Sequence, residues 1–425
     1  MWQLIVSFGI FLFLLPYAYA RFGYLSAQFL IAFHIFLGFP LRTFFISQGI
    51  DSANYIFPVL YFDERMYTTT LLFSASTTLF ILIASFATKS TQSWPVRTPT
   101  QQSLPWSRVL LLAIVCIAAY LLLLTLFFGS LISAFGGFQS RTVDALLGYS
   151  YVNVLADIFF VSAVTLFYLW KHRGITDAKI ASLILVVAAL FLLSASGGRG
   201  NLIQALITLA IISSNGSRYL DRRAGIASLA IIFFVILIIP TGLAARKAAQ
   251  FDTDFISELP TVYADIGPAL SAPFALIDHF ELSKEFVEVH GHDFGMQFLK
   301  FLVKPIPRAT WPGKPQPIAI EMREEFYGDT LGGIPPGLAG ELYISFGWAS
   351  LIFLPVALIL AIHLLFWVCK YSKFREHQPL IIGLIVPYIA FNMLRGGFDI
   401  GAMRILIILS SILFVIVVSS NSKRS

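Results

Sequence analysis

The sequence predicts an all-α polytopic membrane bundle of about 11 transmembrane helices (10–12) with one large external loop. Three observations predict it. Of 425 residues, 57% are hydrophobic and 12% charged, where soluble domains carry roughly 25% charged residues. Apolar runs of about 20 residues, the length a bilayer demands of a helix, recur from end to end and give a mean hydropathy of +0.81. Basic residues fall on alternate connections, as the bias against translocating Lys and Arg requires. This composition excludes a soluble enzyme, a disordered chain and a nucleic-acid-binding domain. Cys116 and Cys369 lie in or beside apolar runs and form no disulfide framework or metal site.

In chain order the apolar periodicity places spans at 2–20, 22–41, 67–87, 109–128, 148–170, 180–196, 198–213, 225–243, 342–368, 379–395 and 401–419. The first is read as a retained helix, since no positive segment precedes Phe11–Leu15 as a signal peptide requires. The pair around Gly197 and Gly198 is short and joined almost without a loop. Gly-interrupted segments of this kind often line a site inside a bundle.

Fifteen Lys and Arg residues, from Arg21 to Arg424, fall on one set of connections and face three acids there, Asp177, Asp221 and Glu376. That side is cytoplasmic and carries the C-terminus. The opposite face holds residues 244–340, with 13 acids, eight basic residues and a proline-rich composition that predicts short helices and ordered loops. The chain thus reads as an N-terminal bundle over 1–243 (about eight helices), a large loop with short helices over 244–341, and about three C-terminal helices over 342–425. A cysteine placed at Ser283, inside the loop, is expected to react with an impermeant reagent from outside.

The candidate site residues are charges in unusual places. Arg199 lies in the glycine-rich break, Arg246 and Lys247 follow the eighth span, and Arg395 and Arg404 flank the last external turn. Arginine keeps its charge and offers a planar fork of donors, so a cluster at the outer boundary suits a phosphate or diphosphate. Snorkelling, or an Arg395–Asp399 pair, accounts for the same residues. The stretch Lys304-Pro-Ile-Pro-Arg-Ala-Thr-Trp-Pro-Gly-Lys314 alternates cations with prolines around Trp311. A stiff backbone presents Arg308 and Lys314 at low entropic cost, and an aromatic face stacks on a sugar ring. An interfacial anchor reads equally well. Glu341 and Tyr343 stand where the chain re-enters the membrane; a buried Glu serves as a general base, and an acid at a helix start also serves as a cap. Asp252-Thr-Asp254 and the His290/His292 pair match metal sites too weakly to count. Asp157, midway through a span, needs a partner such as an arginine.

Three pieces, Ser196-Gly-Gly-Arg-Gly-Asn201, Pro305-Ile-Pro-Arg-Ala-Thr-Trp-Pro-Gly-Lys-Pro315 and Gly340-Glu-Leu-Tyr-Ile-Ser-Phe-Gly347, together with the layout of many spans and one large late loop, resemble the O-antigen and oligosaccharide repeat-unit polymerases of bacterial envelopes, the Wzy-type family. The resemblance implies a GT-C-like fold in the bacterial inner membrane with the loop in the periplasm. It implies glycosyl transfer with inversion and without a metal or other cofactor, from a glycan on undecaprenyl diphosphate to a lipid-linked repeat unit. A separate chain-length regulator is an expected partner, beside membrane lipids and lipid-linked glycans. Arg199, Arg246, Arg308 and Arg395 then hold the departing diphosphate, with Lys247, Lys314, Trp311 and Tyr343 as further substrate contacts and Glu341 as base. An O-antigen ligase, acting through His290, and a non-enzymatic flippase or transporter for lipid-linked sugars are the rival expectations.

Overall fold

The computed structural model describes residues 1–50, 62–87, 105–129, 152–195, 199–214, 244, 255–264, 274–303, 306, 310–329, 333–370 and 377–420. Every regular element among them is helical. Eight helices are long and apolar enough to cross a membrane, two more are apolar but shorter, and the chain is by these measures a multi-pass membrane protein. The expected span at 225–243 lies outside the described residues, so the described count stands at eight plus two against the eleven expected.

Helix α1 (Trp2–Phe22) is followed by α2 (Ala27–Ser47), which starts where the Ser26 hydroxyl accepts from the Phe29 N–H at 3.1 Å. The sequence places the end of this span at 41, yet it continues to 47. Pro40 lacks an N–H, and the helix absorbs the missing donor in a π turn at Leu37–Leu41 rather than stopping. Helices α3 (Arg65–Ala87), α4 (Trp106–Phe128), α5 (Val152–Arg173), α6 (Ala178–Ala195) and α7 (Arg199–Ser213) follow. The segment between the spans then folds as short helices: α8 (Phe255–Ala264), α9 (Leu276–His290), α10 (Met296–Val303) and α11 (Ile318–Tyr327). The ninth expected span is two helices, α12 (Gly337–Phe346) and α13 (Ser350–Lys370), because the chain turns at Gly347 with φ +58°, a conformation that favours glycine. Helix α14 (Gln378–Gly396) contains a second π turn at Tyr388–Met393, and α15 (Phe398–Ser420) closes the described chain.

These helices form two compact units, each gathered from separate stretches of chain: one from 1–92, 270–364 and 388–403, the other from 93–269, 365–387 and 404–425. In the first unit, rings from α2, α3 and α9 make an aromatic core. Phe39 stacks on Phe73 at 4.3 Å, and Phe73 meets Phe280 edge-on at 4.7 Å, geometries that aromatic quadrupoles favour. Leu276 fills the space left by Gly38 in the π turn of α2. In the second unit, Tyr120 and Leu124 of α4 pack with Leu155 and Leu192, and the ring of His172 bonds the Ile212 carbonyl at 2.8 Å. Ile5, Leu12 and Phe13 on α1, and Ile352, Leu360 and Leu364 on α13, are exposed apolar side chains. A lipid-facing surface requires such residues, since hydrocarbon imposes no penalty on them.

Ser283 is fully buried, and its hydroxyl occupies the place that a Cβ on Gly340 would take. A cysteine there is shielded by protein whichever side the loop occupies, so the labelling test belongs at Val289, which is 65% exposed. With both native cysteines buried, a Val289→Cys variant is expected to react with an impermeant maleimide in intact cells. Reaction only after lysis would place this segment in the cytoplasm.

Candidate functional site

Within the first unit, the site begins with a cap. Asp293 lies just before α10, and its carboxylate accepts from the backbone N–H groups of Gly295 (3.1 Å) and Gln297 (3.2 Å), satisfying donors that a helix start leaves open. The hydroxyl of Ser345 on α12 donates to the same carboxylate at 2.8 Å, which ties α10 to α12. Gln297, Lys300 and Phe301 are spaced i, i+3 and i+4, so they share one helical face. That face lines a cavity of about 250 Å³.

Other elements complete it. Lys300 Nζ lies 2.7 Å from Glu321 Oε1 on α11, and Lys314 Nζ donates to the Ile306 carbonyl at 2.8 Å. Glu341 from α12 and Asp399 from the first turn of α15 bring two carboxylates to the same cavity, and Pro315 and Pro317 form an apolar wall. Glu341 is only 2% exposed and accepts from the Phe398 N–H, the first residue of α15. It therefore caps a helix other than its own. Gly397, at φ +88°, lies against the Glu341 carboxylate so closely that a Cβ would overlap it; the position requires glycine on both counts. Phe398 is held in turn by edge-on contacts with Phe298 and Phe301, at 5.4 and 5.3 Å.

A second polar group lies deeper in this unit. Arg42 on α2 meets Asp278 on α9 in a bidentate pair, 3.0 and 3.1 Å, with neither side chain exposed. Next to Asp278, burial pushes the His279 imidazole down to about 3, and the charges of Arg395 and Arg42 act in the same direction. His34 bonds the Ala390 carbonyl at 2.7 Å and stacks on Phe391 at 4.5 Å. Ala390 belongs to the π turn of α14, whose widened ladder leaves backbone groups in need of such partners.

The sequence-selected residues separate in this structure. Glu341 and Lys314 line the cavity. Arg395 ends α14, four residues before the cavity's Asp399, with the break at Gly397 between them. Tyr343 does not join Glu341: two residues apart on a helix they point about 200° apart, and the phenol packs on Phe280 (5.1 Å) and Trp348 (5.3 Å). Trp311 is 40% exposed. Arg199 opens α7, but its side chain, with Arg246, Lys247, Arg308, Asp252 and Asp254, lies outside the described residues. His290 pairs with Glu325 at 2.9 Å near the surface, and His292 with the Ile344 carbonyl at 3.2 Å. In the second unit Asp157 finds its arginine: Arg404 Nη1 reaches both carboxylate oxygens, at 2.7 and 3.0 Å.

Gln297 and Lys300 escape the sequence reading, as does the Arg42–Asp278 pair, and Asp399 enters it only as a partner for Arg395. The signal for the first two is the i, i+3 spacing after an Asp cap, legible only once α10 is known to begin at 296. No protein-family model matches the chain, and neither a curated protein nor a solved structure is significantly similar to it.

Proposed function

We propose that this protein polymerises undecaprenyl-diphosphate-linked oligosaccharide repeat units into O-antigen or a similar surface polysaccharide, at the periplasmic face of the bacterial inner membrane. The observation that supports the reading best is the cavity with buried Glu341 on its wall, Asp399 and Lys314 beside it, and Arg395 one helix break away. An inverting transfer needs a group to accept the proton of the acceptor hydroxyl and cations to hold the leaving group. In the step, the hydroxyl oxygen bonds to the anomeric carbon as its proton passes to the Glu341 carboxylate. The glycosyl C–O bond breaks, and its electron pair leaves with undecaprenyl diphosphate. Preorganised cations stabilise that charge as it develops, a role assigned to Arg199, Arg246, Arg308 and Arg395. Lys247 and Lys314 are proposed to add charge for the leaving group, and Trp311 and Tyr343 to contact the glycan rather than the reacting atoms. A chain-length regulator as partner rests on the family resemblance.

The test is the glycan profile of a deletion strain in a smooth host. Lipopolysaccharide carrying one repeat unit and no ladder is the expected result. Bare core with accumulated lipid-linked polymer would assign ligation instead, and lipid-linked units retained in the cytoplasmic leaflet would assign flipping. An Arg199→Ala variant supplied in trans is expected to insert at normal abundance and leave the ladder absent, and Arg199→Lys to restore little, since a point charge lacks the bidentate fork. A full ladder from Arg199→Ala would remove that residue from the site.

A further inference from the structure

We infer that the cavity between α10, α11 and α12 takes one uncharged, hydroxyl-bearing sugar ring of the acceptor, and that Gln297 is the residue that selects it. Only the word acceptor rests on the function proposed above; the pocket's chemistry stands without it.

Size sets the first limit. Sites for drug-sized ligands span roughly 300–1,000 Å³, and this cavity, at about 250 Å³, holds a single ring rather than an oligosaccharide. Charge sets the second. Lys300 and Lys314 bring two positive charges, and Glu341 and Asp399 two negative ones. A diphosphate would meet two carboxylates, and a bare cation would meet two ammonium groups. Lys300 keeps its charge and is oriented by Glu321 at 2.7 Å. The lining as a whole offers hydrogen-bonding groups of both kinds, ammonium donors, carboxylate acceptors and a carboxamide. A ring rich in hydroxyls, each both donor and acceptor, matches that inventory.

Gln297 carries the argument further. The residue is only 8% exposed and lines the cavity, yet among the described residues its side-chain carboxamide has no hydrogen-bond partner; only its backbone N–H is engaged, by Asp293. The carboxamide is not sealed from solvent; it opens on the cavity, where a ligand atom can take the place of water. A carboxamide sets an acceptor and donors side by side in one plane, which complements two neighbouring ring hydroxyls. The Asp293 cap and the Ser345 bond fix the helix that aims it, so the orientation is set before the ligand arrives. Phe301, Pro315 and Pro317 offer the C–H face of the ring an apolar wall.

The test uses the full chain in lipid nanodiscs and saturation-transfer NMR with methyl glycosides of glucose, galactose and mannose, beside methyl glucuronide. At least one neutral glycoside is expected to bind, the glucuronide not to. Gln297→Leu is expected to weaken the neutral glycoside about tenfold or more while the thermal midpoint holds, because no hydrogen bond to the described protein is lost. Gln297→Met, closer in shape, gives the same reading if the Leu variant folds poorly. Wild-type affinity in a folded Gln297 variant, preference for glucuronide, or no glycoside bound by the wild type overturns the inference. No lipid-linked donor enters this assay. A deletion strain that keeps its ladder while neutral glycosides bind would therefore overturn the polymerase reading and leave the pocket assignment standing.

Discussion

Asp278→Asn is expected to destabilise the protein by about 3–5 kcal/mol, the usual effect of removing one partner from a buried ion pair. Both side chains of the Arg42–Asp278 pair are fully buried. Asparagine keeps the shape and one acceptor oxygen, so the change isolates the charge. Arg42 cannot shed its proton, and it would stand in a low-dielectric core with the Asp278 charge gone. Because whole domains are stable by only ~5–15 kcal/mol, the variant should show a much lower unfolding midpoint in detergent and reduced abundance in cells. The double change Arg42→Met with Asp278→Leu should recover most of the loss, since well-packed apolar residues replace buried pairs at little or no net cost. A loss below about 1 kcal/mol, the range of exposed pairs, would mean that water reaches this pair.

The second large effect separates two jobs of one carboxylate. Glu341 caps α15 through the Phe398 N–H and is the proposed base. Glu341→Gln retains an acceptor oxygen for that N–H but cannot take a proton from a hydroxyl, so the fold should persist while polymer synthesis drops about 10²–10⁴-fold, the usual share of general-base catalysis. Glu341→Ala removes both functions and should also lower stability by about 1 kcal/mol or more, as lost caps do. The check is initial-rate transfer with purified protein and lipid-linked repeat units, alongside melting curves. Unchanged rates in Glu341→Gln would leave the residue a cap alone, and a polymerase would then need its base elsewhere.

What was legible in the sequence follows from range. Runs of about 20 apolar residues announce a span locally, and ten of the eleven expected spans meet a helix among the described residues. Asp157 could be flagged as needing a partner because an isolated acid in a span is costly; that the partner is Arg404, 247 residues on, is a tertiary fact. The same holds for Arg42 and Asp278. Glu341 was legible as a residue at a helix start, but the helix it caps is α15. Adjacency in the sequence groups Tyr343 with Glu341, and helical geometry sends it to the opposite side. Pro40 misled the boundary of α2 because a π turn accommodates it. Gln297 has no composition signal at all: only its place on the cavity wall marks it, and that place is not written in one sequence.

The scattered origin of the first unit also has a timetable. Arg42 leaves the ribosome 236 residues ahead of Asp278, an interval of about 10–50 s at roughly 5–20 residues per second. For that time the insertion machinery handles a helix whose guanidinium lacks the Asp278 carboxylate, and a charge costs ~2.5–3.5 kcal/mol when it sits mid-helix. Arg42 lies five residues from the end of Ala27–Ser47, and so its long side chain can reach up to the headgroups until the acid arrives. A pair made of residues this far apart in the chain thus commits the second span to the bilayer before its acid partner is synthesised.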